Sequence, residues 1–203
     1  MNSLEFPSAE QVLDRLGDDF ITAFIDAVDG ARADYRELKA WHPDWAPGYT
    51  SRFIANFAHE RIWDRLTRQV RGRPGVEIRD EEPIREIRTG TMFVTRVKRH
   101  HPGERISTYP TAGALAYWAG RAITLEGLEQ HSLAAGYYWD RETREIGDAV
   151  LSLREALDRP VWGITLERSA SAPTGIAWTP IEPGLPELDL SQFATEDEEE
   201  DFA

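Results

Sequence analysis

The sequence predicts an α+β fold: N-terminal helices packed on one face of a mostly antiparallel sheet of roughly five to six strands, followed by a disordered acidic C-terminal tail. Three observations carry that expectation. Apolar residues recur at threes and fours up to residue 71, they alternate from residue 76 to 168, and beyond Arg168 prolines and acids replace both patterns. The chain therefore divides into a single α+β domain over 1–168, with helices in 8–71 and the sheet in 76–168, and a Pro-rich linker and acidic tail over 169–203.

The first helix starts after Pro7, where Ser8 is placed as N-cap and Gln11 in the reciprocal capping-box position. Val12, Leu13, Leu16, Phe20, Phe24, Ile25 and Val28 then draw one apolar stripe, with "DG" at 29 and 30 as a candidate interruption. A second helical stretch runs through Tyr35 and Leu38 and stops at "WHPDWAPG", whose prolines and glycine force a loop. "TSRFIANFAHERIWDRLTRQVRG" is the clearest helix. Phe53, Ile54, Phe57, Ile62, Trp63, Leu66 and Val70 face one way, and Gly72 and Pro74 end it.

Alternation then takes over. "VEIRDEEPIREIRTG" and "TMFVTRVKRHH" read as strands, and "HPGE" supplies a turn to a return strand "ERISTYP", which together predict a hairpin. "TAGALAYWAG" reads as a short helix that packs Leu115 and Trp118, and "SLAAGYYW", "IGDAVLSLR" and "PVWGITLE" as three more strands. Pro173, Pro180, Pro183 and Pro186 predict that no regular ladder follows Arg168.

Composition narrows the function classes. No apolar run approaches the roughly 20 residues that span a bilayer, and the N-terminus lacks the pattern of a signal peptide, so the expectation is a cytoplasmic protein with no membrane contact. Absence of cysteine removes disulfides, thiolate nucleophiles and cysteine-ligated zinc. No P-loop, G-x-S-x-G or dinucleotide fingerprint is present, and no cofactor is expected. "HERIW" at 59–63 opens like a zinc-protease helix, but Trp63 stands where the second imidazole belongs, so no metal is expected at His59. A nuclease core needing an acid before Lys98 meets Arg96 instead.

Charge is the remaining signal. The formal net charge is −13, yet residues 51–110 hold 13 Lys/Arg against 8 Asp/Glu, while 1–50 hold 4 against 10 and 111–203 hold 6 against 18. Such asymmetry often marks an interaction surface. Strand parity puts Phe93 and Val97 on the core side of the hairpin and gathers Arg96, Lys98, His100, Arg105 and Tyr109 on the other, a cationic face with a ring for stacking. The first expectation is a non-enzymatic regulatory protein that binds through this face and its acidic ends, with single-stranded nucleic acid or a basic DNA-binding protein as partner. The second is a metal-independent ribonuclease using the same five residues. A third, small-molecule binding by Trp118, Tyr137, Tyr138, Trp139 and Trp162, competes with their use as core. In either of the first two, "EDEEED" on its proline-rich tether is expected to compete for the cationic face.

Overall fold

A computed structural model describes residues 6–81, 84–119, 130–172 and 175–182. The acidic tail beyond residue 182 lies outside the described residues.

The capping box closes as its sequence requires: the Ser8 amide donates to Gln11 Oε1 at 2.9 Å and the Gln11 amide to Ser8 Oγ at 3.2 Å. Helix α1 (Ala9–Leu16) ends at Gly17, whose φ of 78° is open to glycine, and α2 (Asp18–Trp41) continues the same apolar stripe. "DG" at 29 and 30 does not break α2. Glycine is there for room: a Cβ on Gly30 would lie 2.7 Å from the Arg65 guanidinium, which donates to Asp34 at 2.6 Å. Helix α3 (Ser51–Val70) is capped by Thr50, whose hydroxyl accepts from the Phe53 amide at 3.1 Å. No helix among the described residues is long and apolar enough to cross a membrane.

Among the described residues seven strands form one sheet: β1 (Val76–Glu81), β2 (Ile84–Thr89), β3 (Phe93–His100), β4 (His131–Asp140), β5 (Glu145–Ala156), β6 (Arg159–Arg168) and β7 (Ile176–Pro180). They lie in chain order, and every neighbouring pair is antiparallel except β3 and β4. Helices α1 to α3 cover one face. There Phe24, Val28, Ile54, Ile62 and Leu66 meet Phe93, Val97, Leu133, Tyr137, Leu151 and Leu153 in one core. Parallel neighbours need a crossover, and this one passes over the opposite face through α4 (Ala112–Trp118). The Tyr117 hydroxyl donates to the Val94 carbonyl at 2.7 Å, and Trp118 is buried, whereas Leu115, expected in the core, stays 46% exposed.

Three expectations for the sheet are corrected. "VEIRDEEPIREIRTG" supplies two paired strands, β1 and β2, where one was expected. The return strand over 105–109 does not form: β2 already holds β3 at Phe93 to Thr95, which leaves the returning chain one bridge, His100 to Ile106. Beyond Arg168 the sheet continues, because β7 pairs with β6 from Arg168↔Ile176 to Ile164↔Pro180. Pro180 is tolerated at the end of an edge strand, where its missing N–H interrupts no ladder.

Candidate functional site

The five residues expected to share a cationic face are divided by the crossover. Arg96 lies beneath it: its guanidinium carbon is 3.7 Å from the centroid of the Tyr117 ring, and Nη2 donates at 3.2 Å to Glu86, a buried carboxylate that also accepts from Arg88 Nη2 at 3.0 Å. Arg96 is thus neutralised and covered. His100 is also enclosed, with Nε2 3.2 Å from Ser152 Oγ. Burial, reinforced by the Arg154 charge, pushes its pKa down to about 3 and keeps the ring neutral. Parity assigned both side chains to the correct face, but that face is a second, polar interior. His100 is buried and Arg96 keeps 19% of its side chain exposed, so neither projects freely into solvent as expected.

Arg105 and Tyr109 are exposed, and Lys98 is half-buried. Arg105 and Tyr109 lie on the segment that follows the 3₁₀ turn Pro102–Glu104, and Tyr109 is 82% exposed. Among the described residues Arg105 makes no ion pair. Lys98 Nζ donates to Thr108 Oγ1 at 3.2 Å, and burial, with the neighbouring Arg96 charge, brings its pKa down to about 8.

Lys98 and Tyr109 meet in a groove of about 440 Å³ whose other walls are Asn56 and His59 of α3, Val97 and Arg99 of β3, and Ser107 and Thr108. The topology explains the opening. On this side β3 pairs with β2 only through Thr95 and with the returning chain at His100, so its edge between these points is left to α3 and the 107–109 segment. Arg99 forms part of the floor. It donates to Ser51 Oγ at 2.9 Å, Ser51 O at 3.2 Å and Tyr137 Oη at 3.0 Å, all neutral acceptors, and no carboxylate lines the groove.

Two neighbouring imidazoles are lowered first by burial, and nearby cations add to that shift. Burial first, then the charges of Arg99, Arg141 and Arg105, hold His101 below the usual imidazole range. Burial also lowers His59; Glu60 opposes that shift, while Lys98 and Arg85 add to it. Arg52 lies one turn before Asn56 on the same stripe of α3, and Arg52, Arg105 and Arg141 have no carboxylate partner among the described residues. Sequence parity missed Arg99 because it put that position on the core side. The anomaly of an arginine at core-facing parity was the available signal.

The site can hold an anion: a fixed guanidinium in the floor, a titratable ammonium on one wall, hydroxyl and amide groups beside them, and a projecting ring at the mouth. Among the described residues no cluster of three or more His, Asp or Glu side chains is arranged to hold a metal ion. No protein-family model, curated protein or solved structure matches this chain.

Proposed function

We propose that the protein is a non-enzymatic interaction protein whose groove between α3 and the open edge of β3 receives an anionic segment of single-stranded nucleic acid. The observation that carries this reading is the pairing of Lys98 with Arg99 in a groove lined by no carboxylate, beside the exposed ring of Tyr109. Phosphate oxygens would meet the two cations, and a base would stack on Tyr109. The acid elsewhere on the chain confines binding to this spot, since a net charge of −13 repels a polyanion at long range. The acidic flanks suit a basic partner such as a DNA-binding protein, whose hold on nucleic acid the chain would tune.

Fluorescence anisotropy with labelled single-stranded oligonucleotides at low salt tests the groove. Binding is expected to weaken about 10-fold in Lys98→Met and in Tyr109→Ala, with the salt slope of Lys98→Met reduced by about one unit. Absence of binding to the intact protein, or equal binding by Lys98→Met, refutes this reading.

One observation favours the ribonuclease reading as a second. Lys98, with its pKa near 8, shares the groove with His59, an imidazole that burial holds below its usual range, so two titratable groups face the same space. His100, buried and neutral, has no part in it. Cleavage of single-stranded RNA in the presence of chelator, lost in both His59→Ala and Lys98→Met, would establish this reading; intact RNA after prolonged incubation excludes it.

A further inference from the structure

The far ends of α2 and α3 form a second, chemically opposite surface. Trp41 is 73% exposed, Trp45 60% and Phe53 42%, an unusual display of large apolar rings for a chain with a complete core. The rings are ordered against one another: His42 stacks on Trp45 with centroids 3.9 Å apart and planes 11° from parallel, and the Trp41 ring centroid lies 4.3 Å from that of His42 at a 48° tilt. Beside this stack a cleft of about 770 Å³ runs between the helices, walled by Leu38, Trp41 and Phe57 and edged by Asp34, Glu37 and Arg61.

The charges around it do not cancel. Arg61 donates to Asp34 at 2.7 Å, Arg36 and Lys39 both pair with Glu145, and Arg144 donates to the carbonyls of Pro47 and Tyr49. Every one of these cations is occupied. Glu37 and Asp44, both exposed, have no hydrogen-bond or ion-pair partner among the described residues. The surface thus combines flat aromatic faces with unspent negative charge.

We propose that this surface binds an arginine-bearing segment of a basic protein. A guanidinium suits both features: it stacks on an indole face and forms a forked pair with a carboxylate, whereas an ammonium does only the second well. An anionic membrane or a nucleic acid would meet Glu37 and Asp44 with like charge, and a second copy of a chain at −13 would approach against its own field. This inference uses residues on the opposite flank of α3 from the groove and does not rest on the nucleic-acid reading.

The test uses the full-length protein, a synthetic peptide carrying three arginines, and its lysine and glutamate counterparts, followed by the indole N–H resonances of Trp41 and Trp45 in two-dimensional NMR. The arginine peptide is expected to shift both resonances saturably and to bind more tightly than the lysine peptide, with no effect of the glutamate peptide. Trp41→Ala is expected to weaken binding about 3- to 5-fold, the worth of one cation–ring contact, and Glu37→Gln by a similar factor. Both positions are exposed, so the fold should survive. Lys98→Met should leave peptide binding unchanged, which separates this surface from the groove. The proposal is overturned if the indole resonances stay fixed, if Trp41→Ala and Glu37→Gln bind like the parent and thereby assign the peptide to acids elsewhere, or if the resonances move with protein concentration alone, which makes a second copy the occupant.

Discussion

Replacing His100 with glutamine should flatten the acid limb of the protein's stability curve. His100 is 2% exposed, its Nε2 lies 3.2 Å from Ser152 Oγ, and its folded-state pKa is about 3 against 6.5 for a free imidazole. Between these values the unfolded chain binds a proton that the folded chain refuses, so stability is fully present above pH 6.5 and declines as the pH falls toward 3. The slope approaches about 1.4 kcal/mol per pH unit, and integration from pH 7 to 5 gives a loss of about 2 kcal/mol, or roughly 4 to 8 °C in Tm for a domain of this size. Nearby charges do not reverse the sign: Arg154 and His101 both disfavour the imidazolium, and only a backbone hydrogen bond within β3 opposes them. Glutamine keeps a polar atom for Ser152 and does not titrate. Urea unfolding of both proteins at pH 7, 6 and 5, compared as differences, cancels His59, His101 and the carboxylates that the two proteins share. If both proteins lose stability in parallel, His100 is not held neutral and the enclosed polar face is wrongly described.

Two further outcomes follow from the same interior and one from the groove. A methyl group on Gly136 would lie 1.6 Å from the Lys98 carbonyl oxygen, so Gly136→Ala should force β3 and β4 apart and cost more than about 4 kcal/mol, read by chemical denaturation or by loss of soluble protein. Glu86→Gln removes the charge that Arg88 and Arg96 share and should cost about 3 kcal/mol, whereas Glu86→Met combined with Arg96→Met should recover most of it because no unpaired charge stays buried; thermal melts of the single and double variants decide. Anion binding in the groove should weaken between pH 7 and 9 as Lys98 passes through its pKa of about 8 and loses its proton, and Lys98→Met should abolish that part of the pH dependence in an anisotropy titration.

What the sequence disclosed was local. The capping box at Ser8 and Gln11 and most of the stripes of both long helices follow from contacts within a turn or two, although Phe53, expected in the core row of α3, stands 42% exposed; the two-residue period placed Phe93 and Val97 on the core side correctly. The crossover was not legible, because alternation tells which face a side chain takes and not which strand lies alongside or what covers the other face. Arg96 and His100 looked like surface cations for that reason: the groups that enclose them, Tyr117 and Ser152, are supplied from beyond the turn. Proline concealed β7 in the same way. Its edge position, which makes Pro180 harmless, is a property of the assembled sheet.

Helix α3 converts the uneven charge of the chain into two separate surfaces. At 100° per residue, Ala55, Asn56 and His59 lie roughly half a turn around the axis from Phe57 and Arg61, with the buried row of Ile54, Ala58 and Ile62 between the two flanks. One flank faces β3 and the 107–109 segment, both from the basic stretch 51–110; the other faces α2, from the acidic stretch 1–50. Cations not consumed by carboxylates collect on the first, where Arg99 has only neutral acceptors, and carboxylates not consumed by cations collect on the second, where Glu37 and Asp44 stand beside exposed indoles. The core row holds the two apart, so neither surface can neutralise the other by a change of rotamer. On the two proposals above, each takes its counter-charge from a different partner.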